Sequence, residues 1–370
     1  MKKTYPASPA EPAPKGAVGR WVGQLRDWMH TRQYGSNEDR KADMLAAMMT
    51  LEGGPALLQH GQEQGVDLHV RASRFMKGSF GYATPPKDGK GFQVAVTNNG
   101  DPVGMALTAQ HEYRHIAQMS KGCGDVASDP YRLSMARAVF IQKMMQEADA
   151  CTIETLAAAK QDAAGNPAYM QDIQKRTTPA YRCIQRFLKE KPCDSFKSDA
   201  AFCRSLFTEI MLDGLEHYKY GFLMGQSMAF RAGDTLEKFK DLTADKGLVA
   251  QPAQVDALLS DAYGPQFMTL TSMKALQTAF FETLPARERD VLSQMERTAL
   301  KAAKGKLDAE SFVAARTEIL AKVKEIYFTE DEDAAMIRWS LEKDPKRMAL
   351  RQAAVEDKPV SIRQIVKPSL

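Results

Sequence analysis

Strand-like alternation is confined to one short part of this chain, and that confinement limits the fold more than any other feature. Apolar and polar residues alternate over residues 66–70, and the aromatic-rich Phe80–Thr84 and the apolar Phe92–Thr97 follow. The turn residues between them predict three short strands in a small antiparallel or mixed sheet. From Pro102 onward, apolar residues recur at helical spacing. We therefore expect an α+β fold that is predominantly helical, with a small sheet-containing core followed by a helical C-terminal region.

Capping and stop signals mark the expected helices. Ser36 should cap a helix with an acidic first turn. Gly53-Gly54 should end that helix, and Pro55 should begin a second, shorter one. The other helical patterns cover Trp21–Arg32, Val103–Met119, a long stretch from Tyr131 to Lys160, and roughly residues 178–190, 199–231, 252–262, 265–283, 286–303, 308–328 and 331–342.

A length of 370 residues is enough for two or three domains. We expect an extended tail rich in proline and alanine over residues 1–20, and a core domain over residues 21–175. A helical region over residues 176–345 would cover or extend this core. Residues 346–370 would form a loosely held tail.

The charge balance and the apolar runs exclude several classes of protein. Fifty basic and 46 acidic side chains give a net charge of +4 that is spread along the chain, which argues against a dedicated nucleic-acid binder. No apolar run approaches the roughly 20 residues needed to span a bilayer. Lys2 and Lys3 are not followed by the apolar stretch of a signal peptide. We therefore expect a cytoplasmic protein without nucleic-acid or membrane partners.

The five cysteines contain no C-x-x-C pair, which argues against a cysteine-based zinc finger. Buried free thiols are the expected state. A disulfide among Cys183, Cys193 and Cys203 is the alternative, and it would need an oxidising compartment.

The pentapeptide His111–His115 reads H-E-Y-R-H, and it falls within the helix expected over Val103–Met119. Residues four apart in a helix lie on the same face, so the imidazoles of His111 and His115 can reach one cation. Glu112 lies beside that face, where its carboxylate can take a proton from a water molecule held by the ion. Zinc lowers the pKa of such a water from about 15.7 to about 7. The pattern therefore predicts a Zn²⁺ site with Glu112 as general base.

A catalytic zinc needs a third protein ligand. The extended three-histidine pattern is excluded, because Gln118 replaces its glycine and Lys121 replaces its final histidine. The best source of a carboxylate is the helical segment Gln146–Leu156. Within it, Glu147 is flanked by small residues that let two helices approach closely. We expect Glu147 to be the third ligand.

Other carboxylates remain as alternatives. Glu154 shares a helix face with Glu147, and it could be the ligand itself or a partner of an imidazole N–H. Asp149 points to another side of the helix and is a weaker candidate. Asp125 and Asp129, in the loop after the motif helix, are the aspartate alternatives.

Hydrolysis of a peptide bond also needs a hydrogen-bond donor near the developing oxyanion. Tyr131, Tyr181 and His217 are candidates, and Tyr82 and Tyr218 are two more. Nothing in the sequence selects among these five side chains.

The segment HEYRH followed by EADACTIETLAAA resembles zincin metallopeptidases of the gluzincin type, in which the third ligand is a glutamate. It is similar to bacterial ImmA/IrrE-type domains and to related uncharacterised bacterial domains with an H-E-x-x-H helix. The resemblance covers about residues 36–160. It implies His111, His115 and Glu147 as zinc ligands and Glu112 as general base. The long helical C-terminal half is a departure, because a minimal zincin domain does not need it.

These features predict a zinc-dependent metallopeptidase acting on a peptide or protein substrate. Phe92–Thr97 or its neighbouring strand would hold an extended substrate by edge pairing. The alternative is a non-enzymatic regulatory protein that keeps a zincin-like metal site and binds a partner protein. The helical C-terminal region could recruit a partner protein in either case. A metal hydrolase acting on a non-peptide bond is a third interpretation.

Overall fold

The chain folds into a predominantly helical α+β structure with one small sheet, as the sequence predicts. The structure is a computed structural model that describes residues 36–72, 76, 80–86, 91–121, 136–215, 230, 234–243 and 270–328. The helices expected over Trp21–Arg32, residues 252–262 and residues 331–342 lie outside the described residues. Among the described helices, none combines the length and the apolar character needed to cross a bilayer.

The described elements follow one another with short connections where the chain between them is described. In chain order they are α1 (Asn37–Met49), α2 (Gly54–Glu63), β1 (Asp67–Ala72), β2 (Gly81–Thr84), β3 (Gln93–Asn98), α3 (Pro102–Ser120), α4 (Ala136–Ala163), α5 (Ala168–Lys175), α6 (Pro179–Glu190), α7 (Asp199–Glu209), α8 (Leu236–Thr243), α9 (Leu270–Thr283), α10 (Ala286–Ala303) and α11 (Ala309–Phe328). A 3₁₀ turn, Cys193–Ser195, precedes α7, and a π-helical turn, Ile210–Gly214, follows it. The sequence predictions omit α5 and α8, which are eight residues long each.

The sheet is mixed, and β3 is its central strand. β1 pairs with β3 in parallel, and β2 pairs with β3 in antiparallel orientation. A strand flanked on both sides and covered on both faces reads as a continuous apolar run, and β3 is buried from Val94 to Asn98. Phe92–Thr97 therefore has no unpaired edge in the described sheet. The prediction that this strand holds an extended substrate by edge pairing is wrong. Its neighbour β2 is an edge strand of the described sheet.

Helix α1 begins as its capping signal predicts. The Ser36 hydroxyl accepts a hydrogen bond from the backbone N–H of Asp39 at 3.1 Å, an interaction worth about 1 kcal/mol. Met44 and Met48 on the inner face are 0% exposed, and α1 contacts β1 and α3. This packing gives the sheet and α3 a common apolar layer.

Helix α3 is enclosed by its neighbours. It contacts α1, α2, α5, β2 and β3, and every residue from Gly104 to Arg114 is buried. The Tyr113 ring approaches α2 so closely that a Cβ atom at Gly61 would stand 2.2 Å from it. Burial raises the pKa of Tyr113 to about 12, so this phenol stays neutral. The enclosure fixes which way each face of α3 points.

The described residues divide into two units, one within residues 1–124 and 150–181 and the other within residues 125–149 and 182–370. The sheet belongs to the first unit. In the second, Phe140 on α4 stacks on Phe280 of α9 with ring centres 6.0 Å apart. The sequence predicts the boundary between the core domain and the helical region at residue 175. The units of the structure divide within α4 and within α6.

The four described cysteines form no disulfide with one another. Cys151, Cys183 and Cys203 are buried and Cys193 is half-buried. The alternative of a disulfide among Cys183, Cys193 and Cys203 is therefore wrong. Cys123 lies outside the described residues.

Candidate metal centre

Helix α3 carries the motif His111–His115 at mid-length. Asp101 caps the helix by accepting a hydrogen bond from the backbone N–H of Val103. Pro102 occupies the first turn, where the missing N–H of proline costs no hydrogen bond. The helix predicted over Val103–Met119 is confirmed, and both imidazoles lie on one of its faces.

The three side chains predicted as metal ligands come together. Nε2 of His111 lies 3.1 Å from Nε2 of His115, and the ligand atoms of both histidines and of Glu147 all lie within 4.8 Å of one another. Two nitrogens bound to one tetrahedral zinc are separated by about 3.3 Å, so the imidazole spacing suits that ion. Two nitrogens and one carboxylate oxygen are also a donor set of catalytic zinc sites, which keep a fourth position for water. The cluster therefore fits zinc in its donor chemistry.

Helix α4 carries three of the predicted carboxylates without interruption. It runs from Ala136 to Ala163 and includes Glu147, which is half-buried, and Glu154, which is 0% exposed. Asp149, the weaker candidate, is 1% exposed and is not among the ligand groups that converge in the described part of the chain.

The second nitrogen of each imidazole faces an oxygen atom. Nδ1 of His115 lies 2.8 Å from Oε1 of Gln118, and Nδ1 of His111 lies 3.4 Å from Oε2 of Glu154. For His115, this acceptor favours the tautomer that carries its proton on Nδ1 and leaves Nε2 for a metal. The contact of His111 with Glu154 has the distance of an ion pair and not the geometry of a hydrogen bond. Glu154 lies beside Nδ1 of His111 and is not among the ligand groups that converge in the described part of the chain. The geometry therefore favours its predicted role as a partner of this imidazole over that of a ligand.

Gln118 was missed as a functional residue. In the sequence it appears only as a departure from the three-histidine pattern. In the structure it is 1% exposed, and its side-chain oxygen orients His115. The signal that could have found it is its spacing of three residues from His115, which places both side chains on neighbouring positions of one helix face.

Glu154 is an anion in a fully buried position. Burial would raise the pKa of its carboxyl group. The positive charge of Arg176 and interactions with His111 and Tyr181 outweigh burial and hold the pKa below its ordinary value. A carboxylate charge therefore stands behind His111.

Glu112 lies against the beginning of β2. A Cβ atom at Gly81 would stand 2.7 Å from Oε1 and 2.8 Å from Cγ of Glu112, so a glycine is needed for this approach. Glu112 is 8% exposed. The predicted general base therefore lies beside an edge strand of the described sheet. Sequence reasoning missed Gly81, because the close approach joins residues from separate elements.

The Tyr181 hydroxyl, one of the oxyanion candidates, is engaged elsewhere. It donates to Oε2 of Glu154 at 2.5 Å and accepts a hydrogen bond from Nη1 of Arg176 at 2.5 Å. We therefore assign Tyr181 to holding Glu154. Tyr82 lies on β2 and is half-buried. The candidates outside the described residues are Tyr131, His217, Tyr218, Asp125 and Asp129.

Arg176 was also missed. It is 8% exposed, and its Nη1 lies 2.5 Å from Oε1 of Glu154. A local signal was present, because Asp172 and Arg176 stand four residues apart and form an ion pair at 2.8 Å. No local pattern connects Arg176 with Glu154, which lies 22 residues earlier in the chain.

No family model, no curated protein and no solved structure matches the chain. The similarity to zincins therefore stays a resemblance, carried by the motif His111–His115 and by the segment around Glu147.

Proposed function

We propose that this protein is a zinc-dependent metallopeptidase with Glu112 as its general base. The observation that carries the proposal is the convergence of His111, His115 and Glu147 within 4.8 Å. Glu112, on the same helix, is not part of this donor set and lies against β2 instead. Metal-assisted hydrolysis requires ligands that hold the ion and a separate group that takes a proton from the water. The three ligand groups and the carboxylate of Glu112 meet these two requirements.

The chain's own residues supply the proton transfers. Zinc, when bound by the three ligands, would act as a Lewis acid and lower the pKa of a coordinated water to about 7. Glu112 takes one proton as the water oxygen adds to the carbonyl carbon of the peptide. It gives this proton to the amine nitrogen as the C–N bond breaks. One water is thereby added across the bond.

An extended peptide is the substrate that the sheet favours. β2 pairs with β3 on one side and is an edge strand of the described sheet. An edge strand can add an extended segment through backbone hydrogen bonds. Because Gly81 at the start of β2 touches Glu112, a peptide paired along this edge would pass beside the general base. We also propose a cytoplasmic location, since the four described cysteines form no disulfide with one another and three of them are buried.

The test replaces the general base without removing a metal ligand. We expect Glu112→Gln to retain zinc in the purified full-length protein and to abolish cleavage of a peptide library at pH 7. The matched control is Glu38→Gln, at an exposed glutamate in the first turn of α1, which should cleave the library at the wild-type rate. A chelator should stop cleavage by the wild-type protein and by the control.

Three outcomes would contradict the proposal. If the wild-type protein bound no zinc, this result would contradict the proposed metal centre. Zinc-loaded protein that cleaves no peptide would favour a regulatory protein that keeps the site for binding a partner. The same conclusion would follow if Glu112→Gln left the biological activity intact.

A further inference from the structure

Arg176 joins several buried groups next to the candidate metal centre. It follows α5 directly and is 8% exposed. Nη1 donates to Oε1 of Glu154 and to the Tyr181 hydroxyl, both at 2.5 Å, and Nε donates to Oδ2 of Asp172 at 2.8 Å. The guanidinium carbon lies 4.7 Å from the centre of the Tyr181 ring. The planar cation is therefore stacked as well as hydrogen-bonded.

These contacts engage both oxygens of the Glu154 carboxylate. Oε1 accepts from Arg176 at 2.5 Å, and Oε2 accepts from the Tyr181 hydroxyl at 2.5 Å. Oε2 also faces Nδ1 of His111 at 3.4 Å. The carboxylate cannot rotate without losing one of these bonds. Its position behind His111 is therefore set by Arg176 and Tyr181 together.

Arg176 also contacts the helix that carries the motif. Nη2 donates to the backbone oxygen of Gly104 at 3.3 Å and to the Thr108 hydroxyl at 3.4 Å. Gly104, Thr108 and His111 are spaced four and three residues apart, so they share one face of α3. The single guanidinium thus contacts the face of α3 that presents His111 and the carboxylate that lies behind His111.

We propose that Arg176, together with Tyr181, is a positioning residue of the metal centre that fixes Glu154 against Nδ1 of His111 and so holds Nε2 of His111 toward the ion. This inference rests on the metal centre proposed above. Neither Arg176 nor Tyr181 acts on the substrate. A lysine cannot replace Arg176, because an ammonium group lacks the planar fork that reaches Glu154, Asp172 and Gly104 at once.

The test measures zinc affinity by competition with a chromophoric chelator, on the full chain. Tyr181→Phe removes one hydrogen bond to Glu154 and keeps the ring and the charge. Arg176→Lys keeps the charge and removes the fork. Groups that orient a metal-binding histidine are typically worth 10- to 100-fold in metal affinity. We expect each variant to bind zinc about 10- to 100-fold more weakly than wild type.

A double variant separates positioning from general loosening of the structure. If Tyr181 acts through Glu154, the variant with both Tyr181→Phe and Glu154→Gln should bind zinc no more weakly than Glu154→Gln alone. A purely structural role of Tyr181 would make the two losses add. The matched control is Arg186→Lys, at an arginine that pairs with Glu209 and Asp213, and it should leave zinc affinity unchanged.

The outcomes distinguish this inference from the proposed function. Wild-type zinc affinity in folded Tyr181→Phe and Arg176→Lys proteins, or additive losses in the double variant, would overturn the inference. If Arg176→Lys does not fold, Tyr181→Phe and the double variant decide. Zinc binding without peptide cleavage would contradict the proposed peptidase function, but it would not contradict the positioning role of Arg176 and Tyr181. Absence of zinc binding in the wild-type protein would overturn both.

Discussion

Two adjacent residues of the motif are each held by a different part of the chain. His111 and Glu112 are both 8% exposed. Nδ1 of His111 faces Glu154 on α4, whereas the carboxylate of Glu112 lies against Gly81 on β2. Because neighbouring side chains on a helix point about 100° apart, one pentapeptide can serve a metal and a proton transfer separately. Small changes at either contact should therefore affect one role at a time.

Gly81→Ala should weaken catalysis and leave zinc bound. The added methyl group would stand 2.7 Å from Oε1 of Glu112, so the carboxylate must move. A displacement of about 1 Å at a reacting group can cost about 100-fold in rate. We expect kcat to fall about 100-fold in steady-state kinetics, with the zinc content unchanged. Thr317→Ala, at an exposed position of α11, is the control and should keep kcat. Wild-type kcat in Gly81→Ala would show that Glu112 does not need this position.

The residues of the site differ in how far sequence alone can find them. His111, Glu112 and His115 follow from a spacing within one helix, which the sequence displays directly. The prediction of Glu147 as the third ligand follows from the helical pattern around it and from the small residues that flank it. Arg176 and Gly81 act on the site through contacts that only the folded chain creates, so no local pattern connects Arg176 with Glu154 or Gly81 with Glu112.

The start of α11 contributes a stabilisation that depends on pH. Asp308 precedes α11, and its carboxylate accepts hydrogen bonds from the backbone N–H of Ser311 at 2.7 Å and from its hydroxyl at 2.9 Å. These bonds hold the pKa of Asp308 below its ordinary value of 3.8. A lowered pKa in the folded state means that the stabilisation is fully present above pH 3.8. The stabilisation is lost as the pH falls through the folded-state value.

Asp308→Asn should therefore change how stability depends on pH. Asparagine keeps an oxygen that can accept from Ser311, but it carries no charge to interact with the helix dipole. The variant should unfold at a lower temperature than wild type at pH 7, and the difference should shrink below pH 3.8, the ordinary pKa of this group. Ser198→Ala is the control, because this hydroxyl caps α7 by accepting a hydrogen bond from the backbone N–H of Ala201 and does not titrate in this range. A difference between wild type and Asp308→Asn that stays constant down to acidic pH would contradict this account.

Most long elements could be predicted, and the short ones could not. Residues 286–303 are helical as predicted, and the helices near residues 102 and 309 differ from prediction by a residue or so at their ends. Helices α5 and α8 contain eight residues each, so they hold about two turns of periodicity. The strands were located by alternation and turn residues. The order of the strands in the sheet could not be predicted, because a continuous apolar run indicates that a strand is buried but does not indicate which strand lies beside it.

Zinc should stabilise the whole chain against unfolding. A ligand that binds only the folded state raises the free energy of unfolding by about 2.7 kcal/mol at 100 times its Kd. Thermal melting with zinc and with chelator measures this shift. Glu147→Gln should lose most of it, whereas Asp149→Asn should keep it. The reverse pattern would exchange the ligand assignment of these two carboxylates, and no shift in wild type would contradict the metal centre.

At the scale of the whole molecule, the division of the chain into two units was the feature that the sequence predicted least well. A long amphipathic pattern such as Tyr131–Lys160 predicts one helix, but it does not show which neighbours pack on each half. Phe140, in the first half of α4, stacks on Phe280, far along the chain. Contacts of this kind place the described residues 136–149 with the second unit. Sequence distance alone therefore gave a boundary at a different position.

The enclosure of α3 bears on which ions this protein could discriminate. Every residue from Gly104 to Arg114 is buried, so this stretch has little freedom to turn about its long axis. An ion with a larger radius would push the imidazoles apart, and the neighbours packed around the buried His111 would resist that movement. Selection by ionic size would then arise from the packing around the helix as much as from the chemistry of the ligands.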